Sequence, residues 1–272
     1  MGTRLRGMRI LVAGGTGVLG TRVVELLRAR GDEVSVLTRR EGVAGGVSGD
    51  LATGAGLDAA CVGAEAVIHL ATATTPAGWR EVDVDGTRRL AEAATRQHVA
   101  HFLYISILGV DRIPFAYYRA KAEGEQEVLR AGVPWTVLRL GQFHELLDSL
   151  LRVVAAVPVA FVPRGLAVQP LAAADAARVV VDTLDAGPRG RFVGAGGPQI
   201  LTAKDAAEQW LAARRAAGGR GGAVVELPLP GALMRAFRAG HNLMPASMQP
   251  GTAFGDWARE RFAAGTGPAY RR

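Results

Sequence analysis

Tyr117 and Lys121 stand four residues apart in Tyr117-Tyr118-Arg119-Ala120-Lys121, a spacing that on a helix puts both side chains on one face. A phenol ordinarily loses its proton near pH 10, and a nearby ammonium favours the phenolate. Such a pair can pass a proton to or from a carbonyl or alcohol oxygen. A second kind of chemistry is carried by Gly14-Gly15-Thr16-Gly17-Val18-Leu19-Gly20, which satisfies G-x-x-G-x-x-G at 14, 17 and 20, and G-x-G-x-x-G at 15, 17 and 20. Glycines at these places permit a tight strand-to-helix turn and let the backbone approach a pyrophosphate, which the helix N-terminus attracts. No Lys-Ser/Thr pair follows, which disfavours a phosphate-loop nucleotide hydrolase. The loop predicts a dinucleotide site.

The end of the next strand selects the dinucleotide. An NAD site places an acid there for the ribose 2′-hydroxyl. This chain reads Val36-Leu37-Thr38-Arg39-Arg40 instead. A guanidinium pairs with a 2′-phosphate through two hydrogen bonds and stacks on adenine, so Arg39 and Arg40 predict a preference for NADP(H), with NAD(H) as the alternative.

Strands and helices must alternate to position these groups, and they do. The pattern predicts strands at 9–13, 33–38, 66–71, 101–106 and 135–140. Helices are predicted at 18–30, 57–62, 84–98 and 116–131, with a Gly-rich loop after the second strand. Short links between alternating elements predict an α/β fold with a doubly wound parallel sheet, because parallel neighbours need crossover helices. After residue 145 the rhythm loosens. Helices at 145–157, 173–184 and 203–217, a returning strand at 191–194 and a linker at Gly218–Gly222 are expected. The chain thus divides into a binding core, 1–145, and a smaller lobe, 146–272, that completes the sheet and the substrate cleft.

With those elements in place the sequence resembles the short-chain dehydrogenase/reductase superfamily, in its atypical NmrA-like, NAD(P)-binding branch. The resemblance rests on Gly14–Gly20, Gly49-Asp50-Leu51, His69-Leu70-Ala71-Thr72, Val82-Asp83-Val84-Asp85-Gly86-Thr87 and Phe102-Leu103-Tyr104-Ile105-Ser106. It continues through Tyr117–Lys121, Pro134-Trp135-Thr136-Val137-Leu138-Arg139 and Gln142-Phe143-His144. It implies a Rossmann core with the dinucleotide along the strand ends. Gly14, Thr16, Gly17, Val18, Leu19 and Gly20 would cradle the phosphates. Asp50 and Leu51 would lie by the adenine, and Leu70, Ala71, Thr72, Ile105 and Ser106 along the cofactor. Gln142 and Phe143 would lie by the nicotinamide. Lys121 would hold the nicotinamide ribose and tune Tyr117, the proton donor. Two residues depart from the pattern. Leu108 stands at the substrate where such reductases carry Ser or Thr, and Asp83 stands where many relatives have Asn. His144, just past the strand ending at Leu140, is a candidate substrate contact.

Other chemistry is less well supported. Cys61 is the sole cysteine, so multi-cysteine metal sites and internal disulfides are excluded, and no metal is expected. His98 and His101 straddle a helix–strand boundary, and no G-x-S-x-G elbow offers a hydrolase. His69 reads as a satisfied core histidine. The net charge of +7 comes from 32 basic residues of which only Lys121 and Lys204 are lysines, a pattern that looks like the coding bias of a GC-rich genome. The arginines are scattered beside acids, so no specific nucleic-acid site is expected. The arginine-bearing opening, 1–9, leads straight into a strand and a glycine loop, and 146–162 is interrupted by Asp148, Arg152 and Pro158. Neither a secretory leader nor a membrane span is expected, which points to the cytoplasm, with a homodimer possible. The favoured function is an NADP-preferring oxidoreductase acting on a small carbonyl, quinone or enone. A non-catalytic dinucleotide-binding regulator and a sugar-nucleotide epimerase or dehydratase are the alternatives.

Overall fold

A computed structural model describes residues 7–268 and 270; the first two arginines of the chain's opening, Arg4 and Arg6, lie outside the described residues. The apolar run β1 (Arg9–Ala13) leads through the glycine loop into α1 (Val18–Ala29), which buries Leu19, Val23, Val24 and Leu27 on one face. There follow β2 (Glu33–Thr38), β3 (Gly46–Ser48), α2 (Leu57–Cys61), β4 (Ala66–His69), α3 (Thr87–Arg96), β5 (His101–Ile107), α4 (Ala116–Arg130) and β6 (Trp135–Leu140). The second half supplies α5 (His144–Val154), β7 (Val159–Pro163), β8 (Ala167–Val168), α6 (Ala173–Asp185), β9 (Phe192–Ala195), β10 (Leu201–Thr202), α7 (Ala203–Ala216), β11 (Ala223–Leu227), α8 (Ala232–Arg238) and α9 (Phe254–Ala263).

The main sheet has seven strands in the order β3-β2-β1-β4-β5-β6-β9, and the pairings from β3 to β5 are parallel. From β1 the chain winds outward one way to β3, then returns to the far side of β1 and winds the other way. This is the doubly wound Rossmann order expected, with its switch point between β1 and β4. Ala13 is in register with His69, so both strands end side by side there. β3 was expected as loop: its three residues pair Val36 with Gly46 and Thr38 with Ser48 through backbone alone, so no apolar pattern marks it.

The chain packs as two units that interleave in sequence. The first comprises the chain up to Ser106 with Ala116–Arg139 and Ala177–Val193; the second comprises Ile107–Phe115, Leu140–Ala176 and the chain from Gly194. The first has a core of Leu11, Leu37, Leu57, Val67, Leu90, Phe102, Val128 and Val137. The second gathers Leu147, Leu151, Val162, Trp210, Leu211 and Phe254 around α5, α7 and α9. Within it the buried carboxylate of Asp148 accepts from Trp210 Nε1 at 2.8 Å, Arg152 Nε at 3.0 Å and Arg261 Nε at 3.3 Å, tying the three helices together. The expected linker is followed by β11, which pairs in parallel with β7 and matches Val225 to Phe161. No helix among the described residues is long and apolar enough to cross a membrane.

Three histidines are buried and neutral. Burial pushes His69 down to about 3, and His101 and His144 down to about 4. The unfolded chain takes up these protons near pH 6.5 and the folded chain does not, so acid favours unfolding. Stability should therefore be full above pH 6.5 and fall by about 2 kcal/mol per histidine between pH 7 and pH 5. Urea denaturation across that range checks this; a flat profile contradicts it.

Candidate active site

The glycine loop sits at the switch point, and its geometry demands glycine. A Cβ on Gly14, whose φ is +86°, would lie 2.6 Å from the backbone nitrogen of Ala71. A Cβ on Gly20 would lie 2.1 Å from the Gly14 carbonyl. At Gly17 the added atom would meet only the Gly14 carbonyl, at 3.3 Å, so packing alone does not forbid a side chain there. No side chain caps α1 and no acid occupies its first turn, which leaves the positive end of the helix to an anion. Thr16 and Gly17 are exposed and Val18 half-buried, while Leu19 and Gly20 pack inward.

Arg39 and Arg40 are exposed directly after β2, and neither forms an ion pair among the described residues. Asp50 is partly buried; its Oδ1 accepts from the Ala52 N–H at 2.9 Å, closing a tight turn that sets Leu51 against the core. Leu70 and Ala71 continue from β4, and the Leu70 N–H reaches the Ala13 carbonyl at 2.8 Å. Ile105 and Ser106 are buried on β5, and Ser106 Oγ has no hydrogen-bond partner among the described residues. A buried hydroxyl left open near the end of a parallel strand fits a ligand that supplies the missing bond.

The helix α4 brings Tyr117 and Lys121 to one face, as the spacing requires. Lys121 is only 3% exposed, and its ammonium lies 4.2 Å from the centroid of the Tyr104 ring. It makes no hydrogen bond or ion pair among the described residues. Tyr117 is half-buried against Trp79, with ring centroids 5.2 Å apart, whereas Tyr118 is the ring that packs into the core. Burial raises Tyr117 above the ordinary phenol value; Lys121 opposes that shift and Asp83 adds to it.

Three supports were not singled out as site residues from the sequence. Trp79–Gly86 is a widened, π-type helical stretch that runs into α3, where a helix was expected only from residue 84. It carries Trp79 to Tyr117, and it carries the buried Asp83 to Thr72 Oγ1 at 2.6 Å and the Ala73 N–H at 3.0 Å. Gly124 lets α4 approach: a Cβ there would lie 2.5 Å from both the Asp83 carbonyl and the Tyr104 hydroxyl oxygen. Glu125, one turn past Lys121, pairs with Arg139 through two hydrogen bonds of 2.9 and 2.6 Å and pins α4 to β6. The period of two along β5 was the available signal for Tyr104, since it shares a face with Phe102 and Ser106.

His69 donates from Nε2 to Thr87 Oγ1 at 2.9 Å, because that hydroxyl already gives its hydrogen to the Asp83 carbonyl. It is a core histidine. The other expected site residues belong to the second unit. Leu108 is buried, with its N–H on the Leu140 carbonyl at 2.9 Å. Gln142 has both amide atoms buried without partners among the described residues, and Phe143 bridges to Leu171. His144 is fully buried edge-on against the stacked rings of Phe254 and Trp257, with Nε2 at 3.2 Å from the Pro170 carbonyl. Among the described residues no group of three or more His, Cys, Asp or Glu could hold a metal ion.

Known proteins agree with this frame. The family model described as NAD(P)H-binding matches residues 14–187. A (4-alkanoyl-5-oxo-2,5-dihydrofuran-3-yl)methyl phosphate reductase of Streptomyces griseus is 30% identical over 74% of this chain and 72% of its own length. A ceramide reductase of Caulobacter vibrioides is 35% identical over 49% of this chain. This chain spans only 45% of that protein, and under half of the photosystem II assembly factors it also matches. Among solved structures, the NADPH complex of an Escherichia coli NADPH-dependent quinone oxidoreductase superposes with a TM-score of 0.76 at 20% identity, covering 93% of this chain and 99% of that one. A nucleoside-diphosphate-sugar epimerase of Staphylococcus aureus gives 0.74 at 17% identity, covering 93% and 100%. These two likenesses concern the fold, which reductases and epimerases share. With the glycine cradle at its switch point, the chain belongs to the NAD(P)H-binding family of Rossmann-fold oxidoreductases.

Proposed function

We propose that this chain is an NADPH-preferring reductase of a small, largely apolar carbonyl, quinone or enone, with Tyr117 giving the proton. The observation that carries this reading is Lys121, a side chain only 3% exposed whose ammonium has no carboxylate partner among the described residues and stands one helical turn from Tyr117. Such burial is costly unless hydrogen-bond partners arrive with a ligand, and ribose hydroxyls would be suitable partners. The loop Gly14–Gly20 would hold the pyrophosphate, with Arg39 and Arg40 at a 2′-phosphate. Asp50 and Leu51 would face the adenine end. Leu70, Ala71, Thr72, Ile105 and Ser106 would line the remainder. When bound, the nicotinamide supplies the hydride. Tyr117, kept protonated by burial, would protonate the substrate oxygen as charge develops on it, while Lys121 steadies the phenolate left behind. The raised phenol suits reduction better than oxidation, which would require a phenolate at the start.

One observation favours a second reading, that of a dinucleotide-binding regulator without turnover. Leu108 is buried and apolar where a reductase of this superfamily would carry a hydroxyl. The two readings part in an assay of NADPH consumption over a panel of carbonyls, quinones and enones. The reductase predicts turnover that falls about 10²–10⁴-fold in Tyr117→Phe with NADPH affinity unchanged. Binding without turnover on any substrate supports the regulator and overturns the reductase.

The cradle makes a separate prediction. Gly17→Ala should lose less stability than Gly14→Ala, since the Gly14 carbonyl need give by only a few tenths of an ångström, yet weaken NADPH binding by about tenfold or more by crowding the phosphates. Gly14→Ala should lose stability as well, by about 1 kcal/mol or more, because its positive φ and its contact with Ala71 forbid a side chain. Equal NADPH affinity in Gly17→Ala and the parent would contradict the assignment of the cradle.

A further inference from the structure

The hydrogen bonds around Thr72 have a direction. Asp83 is fully buried and accepts at both carboxylate oxygens, from the Thr72 hydroxyl at 2.6 Å and from the Ala73 N–H at 3.0 Å. A threonine hydroxyl carries one hydrogen. With that hydrogen committed to Asp83, the Thr72 oxygen can only accept from its other neighbour, the Tyr117 hydroxyl 3.0 Å away. Tyr117 is then the donor, and its proton points at Thr72. We propose that Asp83 is a positioning residue that orients the chain Tyr117→Thr72→Asp83 and thereby holds the proton on the Tyr117 phenol until a substrate oxygen takes it. Its meaning for catalysis rests on the reductase reading; the chain of hydrogen bonds does not.

The groups facing Tyr117 are few. Lys121 comes from its own helix, Asp83 from the π-type stretch and Tyr104 from β5. Among the charged groups only Lys121 draws the proton off; a hydrogen bond given by Thr72 would do the same, and Asp83 prevents it by taking the Thr72 hydrogen. Asp83 thus opposes Lys121 in two ways, by its charge and by forcing Thr72 to accept. An asparagine at position 83 would reverse the chain. Its carbonyl would keep the Ala73 N–H, its amide would donate to the Thr72 oxygen, and the freed Thr72 hydrogen would turn toward Tyr117 and favour the phenolate.

The experiment follows the phenolate absorbance of the ligand-free protein with pH, assigned by difference from Tyr117→Phe, over the range in which circular dichroism reports an intact fold. Asp83→Asn should lower the Tyr117 midpoint by about one pH unit or more, a tenfold change in acidity. Most of that shift should vanish when Asp83→Asn is made on Thr72→Val, which has no hydroxyl to turn. Where the parent stays phenolic to the edge of the folded range, its midpoint is a lower limit. Titration of Asp83→Asn inside that range supports the proposal, and its absence overturns it. An equal shift in both backgrounds also overturns it, since charge alone would then be acting. Thr72 is exposed, so Thr72→Val is an independent arm should Asp83→Asn not fold. Removing the acceptor should lower the midpoint, and Thr72→Ser should restore it; an unchanged or raised midpoint in Thr72→Val contradicts the proposal. Each outcome stands whether or not the chain turns over a substrate, so failure here is distinct from failure of the reductase reading.

Discussion

The first unit depends on how closely the chain leaving β1 passes the chain leaving β4. At that switch point Gly14 and Ala71 are so near that a single added carbon would collide with backbone. The closeness joins the loop that opens α1 to the segment Leu70–Ala73, which runs on to Thr72. Parallel strands that end together make this possible, because every strand end and helix start then faces one edge of the sheet. The fold therefore gathers at one edge the glycine cradle, the open hydroxyl of Ser106 and the segment on which Tyr117 leans.

A second constraint sets α4. Its catalytic face is useful only if the helix lies deep enough to bury Lys121, and three features bring it there. Gly124 removes the side chain that would meet Asp83 and Tyr104. The pair Glu125–Arg139 fixes the helix to β6 with two charge-assisted bonds, and the Arg139 guanidinium covers the Phe192 ring at 4.6 Å. The π-type stretch then widens enough to present Trp79 and Asp83 from the same side. Structure and chemistry meet in Asp83, which anchors the Thr72–Ala73 backbone and also sets the direction of the Tyr117 proton.

Much of the first unit was legible in the sequence because its signals are local. β1, β2 and β6 are apolar runs bounded by turn residues, and they fall where the pattern places them. The Tyr117–Lys121 pair and the Gly14–Gly20 loop declare themselves by spacing. What escaped notice depends on partners distant in sequence. β3 is three residues with no apolar pattern. β7 and β11 are some sixty residues apart, and each is a strand only because the other exists. The tail forms α8 and α9, and Phe254 and Trp257 both meet the His144 ring edge-on. Asp83 was visible as a departure from a resemblance, but its partners Thr72 and Ala73 become apparent only once the wide turn folds back.

The most direct measurement is a calorimetric titration of the whole chain with NADPH and with NADH. A cradle of glycines at the switch point, followed by two arginines that form no ion pair among the described residues, predicts one site per chain that takes NADPH about tenfold or more tighter than NADH. Equal affinities would contradict the role given to Arg39 and Arg40. Binding of neither dinucleotide would contradict the account at its base.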